Sequence, residues 1–317
     1  MGKPKVVVAD PLAESALAGL GDYDVRHCAG KDPEALHAAL RDADALLIRS
    51  GTRVDREALA AAPELRIVAR AGVGLDNVDV AAATEAGVIV ANAPLSNVLS
   101  VAELTVGLVI ASVRHIVPAN TALRNGRWER AAFTGTELAG STVGIVGLGH
   151  VGTLVAERLA AFDMRIVAYD PYVPQARAAA AGAQLVGLDE LMARSEFVTV
   201  HLPRTPETLG LIGERELRLA RPTMRLINTA RGGIVDESAL ETALKEQRIA
   251  GAALDVFEVE PAVDSPLLAY DTVVATPHLG ASTAQAQDRA GLEAVAAVRA
   301  ALSGEPVAGA VNRVPAR

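Results

Sequence analysis

The sequence predicts an α/β fold of two doubly wound parallel sheets, and three observations carry that expectation. Short β-branched runs alternate with Ala/Leu-rich helical stretches along the whole length, the pattern of repeated βα units. The 317 residues amount to two domains at roughly 150 residues each. Half of the residues are hydrophobic but only 3% aromatic, so the core is built from Ala, Val, Leu and Ile, the usual filling of helix-covered parallel sheets.

In chain order, the first strands are expected at residues 5–9, 24–27, 45–49, 66–69 and 88–91, with helices such as 34–41 and 56–61 between them. A long helical pattern spans 100–115, then a polar connector carries Asn125, Gly126, Arg127, Trp128 and Glu129. A second series of strands follows at 142–146, 165–169, 197–201, 225–228, 249–254 and 273–276, and a final helix at 284–302. Pattern alone does not say where that last helix docks.

Lys and Arg number 30 against 38 Asp and Glu, a net charge of −8, which argues against a general nucleic-acid or anionic-membrane binder. Scarce aromatics argue against base stacking. Cys28 is the only cysteine, so no intrachain disulfide forms and a reducing, cytoplasmic compartment is expected. The apolar stretch Val6-Val7-Val8-Ala9 is too short for a signal sequence, and no apolar run approaches the roughly 18 residues of a membrane span.

Gly147-Leu148-Gly149-His150-Val151-Gly152 follows the strand at 142–146 and opens a helix. This G-x-G-x-x-G turn suits a dinucleotide: Gly147 permits the tight turn, Gly149 lets the backbone approach a pyrophosphate, and Gly152 lets helix and strand pack closely. The free N–H groups of the helix N-terminus then face the phosphates. The next strand ends at Asp170, near the expected spacing for the acid that binds the adenosine ribose hydroxyls and repels a 2′-phosphate. NAD is therefore the expected cofactor, and metal is not implied.

Three polar clusters follow three successive strands, where doubly wound sheets bind ligands. They carry Arg231 in Thr229-Ala230-Arg231-Gly232-Gly233, Glu258 and Glu260 in 255–261, and His278 after Pro277. Hydride transfer needs a proton acceptor for a substrate hydroxyl, and imidazole titrates near neutrality, so His278 suits that role. A carboxylate such as Glu260, with Glu258 the alternative, orients it and stabilises its imidazolium. Arg231 can grip a carboxylate with its planar fork and polarise the adjacent carbonyl.

At these residues the chain resembles the D-isomer-specific 2-hydroxyacid dehydrogenase family, over about residues 46–311. Two signatures carry the resemblance: Leu226-Ile227-Asn228-Thr229-Ala230-Arg231-Gly232-Gly233-Ile234-Val235-Asp236-Glu237, and Ala253-Leu254-Asp255-Val256-Phe257-Glu258-Val259-Glu260-Pro261. The resemblance implies that Arg231 binds and polarises substrate, that Glu260, the one preceding proline, supports the histidine, and that His278 is the acid/base. It implies two Rossmann-like/flavodoxin-like domains with the active site in the cleft between them. The substrate domain would be 1–97 plus 284–317, the NAD-binding domain 98–283. It further places His201, Pro203 and Thr205 over the nicotinamide ribose and phosphate, Asp255 near the nicotinamide, and His150, Val151, Thr229 and Ala230 along the cofactor.

Within the family, Ile48-Arg49-Ser50, the run from Ala69 to Asp79, Trp128-Glu129-Arg130 and His278-Leu279-Gly280-Ala281-Ser282-Thr283 are similar to the branch that oxidises 3-phospho-D-glycerate to 3-phosphooxypyruvate for serine synthesis. Arg49 and Arg70 end neighbouring strands, so two guanidinium groups can converge on a dianion. The resemblance adds Arg130 from a neighbouring subunit, hence a homodimer or higher homo-oligomer. It assigns the substrate carboxylate to the backbone N–H groups of Val73 and Gly74, with Asn77 beside them. Gly51, where the family more usually has alanine, and Val98-Leu99 depart from its pattern. The chain ends at Arg317, where many relatives continue into a serine-binding regulatory domain, so feedback through such a domain is not expected. A relative acting on glyoxylate, hydroxypyruvate or a phosphonate analogue is the alternative within the class. A dinucleotide-sensing corepressor is the alternative outside it, and formate oxidation is disfavoured because that branch pairs its histidine with Gln.

Overall fold

A computed structural model describes residues 2–314; Met1 and residues 315–317, which fall in the expected ranges 1–97 and 284–317, lie outside them. The chain forms two compact units, one running to Asn97 and resuming at Ala281, the other Val98–Gly280.

The first unit holds β1 (Lys5–Val8), β2 (Asp24–His27), β3 (Ala45–Ile48), β4 (Ile67–Arg70) and β5 (Ile89–Ala91), all parallel, in the order β2-β1-β3-β4-β5. Val6, Val7 and Val8 are buried, as are all four residues of β3, because helices cover both faces of the sheet. Helix Pro33–Leu40 starts where Asp32 accepts hydrogen bonds from the Glu34 and Ala35 amides and Pro33 supplies a helical φ.

The last helix, Ala284–Ser303, packs on β3 and β4, so the chain returns to its first unit. Thr283 caps its start through the Ala286 amide, and Gly304 at φ +74 ends it. Arg66 donates to the Ala301 and Leu302 carbonyls at 2.6 and 3.1 Å, placing a cation on the negative end of that helix. The buried stripe Ala290, Ala294, Ala297, Val298 and Ala301 faces the sheet. Gly291 keeps helix Glu14–Leu17 close: a Cβ there would lie 2.7 Å from that of Ala16.

The second unit holds β6 (Thr142–Val146), β7 (Arg165–Tyr169), β8 (Gln184–Leu185), β9 (Phe197–Val200), β10 (Arg225–Asn228), β11 (Gly251–Leu254) and β12 (Val273–Ala275). The order β12-β11-β10-β9-β6-β7-β8, all parallel, reverses direction at β6, and ligands bind at such a switch point. Helix Val98–Val113 packs against helix His150–Ala160 and is buried at Val101, Ala102, Leu108 and Val109. Among the described residues no single helix is long and apolar enough to cross a membrane.

Two elements differ from the sequence pattern. The stretch expected as polar connector begins with a helix, Ile116–Arg124, separated from its predecessor by His115 at φ +50 and a 65° bend. Pro118 is tolerated there because the first turn leaves its N–H positions unpaired anyway. The two-residue edge strand β8 has no β-branched run to announce it.

Candidate active site

The cofactor turn lies at the carboxyl end of β6. Gly147 has φ +97, and a Cβ on it would come within 2.8 Å of the His201 carbonyl at the end of β9. A Cβ on Gly152 would lie 2.1 Å from the Gly147 carbonyl oxygen, so helix and turn touch backbone to backbone. Gly149, in contrast, faces open space, and no side chain caps the helix His150–Ala160 at that end. A bare helix N-terminus with room in front of it fits a pyrophosphate. Asp170 accepts from the Leu148 and Tyr172 amides, each at 2.9 Å, which ties the carboxylate to the turn and leaves acceptor capacity for ribose hydroxyls. The donor set present therefore fits NAD.

Around that turn, His201 pairs its Nε2 with the Thr199 hydroxyl at 3.0 Å, while Nδ1 is buried without a partner. Burial lowers its pKa from 6.5 to about 3, so the ring stays neutral. Pro203 and Thr205 lie in a compact turn closed by Thr208, whose hydroxyl donates to the Pro203 carbonyl at 2.7 Å and accepts from the Thr205 amide at 2.8 Å. Thr229 is buried and its hydroxyl meets that of Thr105 on helix Val98–Val113 at 2.7 Å. Since Thr105 donates to the Val101 carbonyl, Thr229 donates to Thr105. The Thr229 hydroxyl is thus occupied in fixing β10 to the helix.

Arg231, Glu260 and His278 follow β10, β11 and β12, which are adjacent in the sheet. The turn carrying Arg231 is built by Asn228: its amide donates to the Arg231 carbonyl at 2.9 Å, and its Oδ1 accepts from the Ala230 amide at 3.0 Å. Arg231 Nη1 in turn donates to the Ala230 carbonyl at 2.7 Å. Glu260 accepts the Phe257 amide on Oε1 at 3.1 Å and faces His278 Nδ1 with Oε2 at 2.8 Å. Glu258, the alternative partner, is not paired with the histidine; its amide is taken by Glu237.

His278 adopts φ +55, a left-handed conformation that costs a non-glycine residue roughly 1–2 kcal/mol. Asp255 holds it there. The Asp255 carbonyl accepts the His278 amide at 2.8 Å, and its carboxylate accepts the Thr276 hydroxyl and the Leu279 and Gly280 amides at 2.6, 2.7 and 2.8 Å. Asp255 is completely buried, so every bond it accepts goes to the loop that carries the histidine.

In the first unit, Arg70 ends β4 opposite Ile48, and Arg49 follows one residue later on the neighbouring strand. Arg49 Nη1 approaches the Pro11 carbonyl at 3.5 Å, and the Arg70 guanidinium lies over Gly72. The backbones are thus brought side by side, while each guanidinium has its own neighbour. The Val73 and Gly74 amides enter no hydrogen bond among the described residues, which leaves both donors available. Asn77 spends its amide on the Arg49 and Thr52 carbonyls at 2.7 and 2.5 Å, clamping the two loops. Arg130 is exposed in a short 3-10 turn, Arg130–Phe133.

Sequence reasoning missed the residues that shape these loops: Asn228, Thr105, Glu237, and Asp10, whose carboxylate accepts the Arg49 and Thr52 amides at 2.6 and 3.1 Å. Asp10 also explains Gly51, since a Cβ there would lie 2.5 Å from its Oδ1. A short polar residue at the end of a strand is the signal that marks Asp10 and Asn228.

A dinucleotide turn and a Glu–His pair on one sheet rim place the second unit among the nicotinamide-dependent dehydrogenases. The family model for the D-isomer specific 2-hydroxyacid dehydrogenase, NAD binding domain, matches residues 106–280, and the chain belongs to that family, whose cofactor is NAD(H). It is 56% identical over 313 residues to the D-3-phosphoglycerate dehydrogenase of Mycobacterium bovis, covering 98% of this chain and 59% of that one. The enzyme of that name from Methanocaldococcus jannaschii is 46% identical, with 97% and 59% covered. The chain thus spans about three-fifths of the length of these curated relatives. Among solved structures, a glyoxylate reductase from Paecilomyes thermophila matches with a TM-score of 0.87 at 30% identity, covering 98% and 99%.

Proposed function

We propose that this chain interconverts 3-phospho-D-glycerate and 3-phosphooxypyruvate with NAD(H), the step that opens serine synthesis. The observation that carries this reading is the His278–Glu260 pair at 2.8 Å, in a chain whose long relatives bear the name D-3-phosphoglycerate dehydrogenase. Bound NAD takes up or gives a hydride at its nicotinamide. An ionised Glu260 can only accept, so Nδ1 of His278 carries the hydrogen and Nε2 is left to take the proton of the substrate hydroxyl. In the reverse direction the imidazolium, stabilised by Glu260, returns that proton to the carbonyl oxygen.

Arg231 grips the substrate carboxylate and polarises the carbon beside it. The Val73 and Gly74 amides are assigned to substrate binding as free donors to an anionic group, with Asn77 shaping their loop. Arg49 and Arg70, with Arg130 supplied by a second copy of the chain, bind the phosphate. Gly147, Gly149, His150, Val151 and Gly152 cradle the pyrophosphate, and Asp170 takes the ribose hydroxyls. His201, Pro203, Thr205, Thr229, Ala230 and Asp255 flank the nicotinamide half. The working form is a cytoplasmic homodimer: Trp128, two residues from Arg130, is 78% exposed and asks for cover, and the lone Cys28 suits a reducing compartment.

The test is NADH oxidation with 3-phosphooxypyruvate against glyoxylate and hydroxypyruvate. The expected result is a preference of at least about 100-fold in kcat/KM for the phosphorylated acid, lost in Arg70→Ala. Equal or faster turnover of glyoxylate, unaffected by that substitution, would replace this reading with a 2-oxoacid reductase.

A further inference from the structure

Glu237 is the first residue of helix Glu237–Lys245 and lies six residues after Arg231, yet none of the roles above uses it. The helix is already capped, because Asp236 accepts the Ala239 amide at 3.0 Å. Glu237 reaches elsewhere: its Oε1 accepts the amide of Glu258 at 2.5 Å. The preceding amide, of Phe257, goes to Glu260 Oε1, and the other oxygen of Glu260 meets His278. Two consecutive amides of one loop are therefore held by two carboxylates, one from the Arg231 side and one the histidine's own partner. Partial burial raises the pKa of Glu237, and the charges of Glu258 and Glu260 add to that, against the lowering effect of the Glu258 amide. The Glu237 oxygen is well placed to hold an amide.

We propose that Glu237 is a positioning residue: by holding the Glu258 amide it sets the loop at the reach that brings Glu260 to His278. The inference rests on the pairing of those two residues described under the proposed function. It is separable from the simpler role of an acid at a helix N-terminus, which acts through charge alone. Asp keeps the charge but is shorter by one bond, roughly 1.5 Å. Gln keeps the length and the accepting oxygen but not the charge.

The experiment compares Glu237→Asp, Glu237→Gln and Glu237→Ala with whichever 2-oxo acid the wild type reduces fastest. NADH affinity is followed by fluorescence and the His278 Nδ1–H signal by proton NMR. Glu237→Asp and Glu237→Ala are expected to lower kcat about tenfold with NADH affinity within about twofold, while Glu237→Gln recovers most of the loss. In a Glu260→Ala background, Glu237→Asp is expected to cost nothing further. The downfield Nδ1–H signal should persist in Glu237→Gln and fade in Glu237→Asp. Full activity in Glu237→Asp with a slow Glu237→Gln, or the same loss in both backgrounds, overturns the proposal. Substrate preference of the wild type tests the proposed reaction separately, and the NMR signal reports on Glu237 even if that reaction fails.

Discussion

Gly232 and Phe257 meet backbone to backbone: a Cβ on Gly232 would stand 1.7 Å from the Phe257 carbonyl oxygen and 2.6 Å from the Glu258 nitrogen. The Arg231 turn and the Glu260 loop therefore touch with no room for a side chain between them, and neither can move towards the other. A glycine is required at 232 by this approach rather than by a left-handed φ, which belongs to its neighbour Gly233 at +79.

Gly232→Ala should therefore push the Phe257–Glu260 segment away and separate Glu260 from His278. Steady-state kinetics are expected to show kcat down by about 100-fold with a smaller loss of NADH affinity, because Gly232 shares its turn with Thr229 and Ala230 of the proposed nicotinamide site while the glycine cradle after β6 lies two strands away. A variant with normal kcat would mean that the loop relaxes without disturbing the pair.

Asp255 offers a second handle on the same histidine. In Asp255→Asn one carboxylate oxygen becomes an NH2 group facing loop donors, so at least one of the Thr276, Leu279 and Gly280 bonds is lost. A buried donor left unpaired costs about 1–3 kcal/mol. Urea unfolding should register that loss, and kcat should fall because the left-handed turn at His278 is no longer held. Unchanged stability would show that the loop keeps its shape without the carboxylate.

In the proposed site Asp170 sets the cofactor preference. On that reading, replacing it by Ser removes the charge that would repel a 2′-phosphate and the acceptor for the ribose hydroxyls. The KM for NADH is expected to rise about tenfold while that for NADPH falls, read from parallel titrations with one 2-oxo acid. Because the Leu148 and Tyr172 amides also depend on this carboxylate, part of the NADH loss should appear as a looser turn, visible as faster amide exchange at Leu148. Retained NADH selectivity would place the discrimination elsewhere.

What was legible in the sequence divides along physical lines. Strands such as Thr142–Val146 and Phe197–Val200 could be read because runs rich in β-branched residues and buried on both faces leave a nearly continuous apolar signature. The edge strand Gln184–Leu185 has too few residues for any period, and Pro118 hid a helix whose first turn accommodates it. The residues after each strand, Asp170, Arg231 and His278, stood out by type and place. Their supports did not: the Thr105–Thr229 contact joins residues 124 positions apart, and the Glu237–Glu258 bond depends on how two loops pack. Nor does any local pattern announce φ +55 at His278, which is imposed by Asp255 from another strand.

The neutral ring of His201 makes stability depend on pH. Its pKa is about 3 in the folded protein against 6.5 in the unfolded chain, so between those values the unfolded state binds a proton that the folded state refuses. Stability is therefore full above pH 6.5 and is lost as pH falls towards 3. Integrated from pH 7 to pH 5, the contribution is at most about 2 kcal/mol, and the partial exposure of the residue as a whole reduces it towards 1. His201→Gln cannot titrate in this range, so it should lose about that much less than the wild type between the two pH values. Urea unfolding of both proteins at pH 7 and pH 5 measures the difference directly, with carboxylate effects cancelling between them. Parallel losses in the two proteins would mean that the His201 ring takes up its proton in the folded state after all.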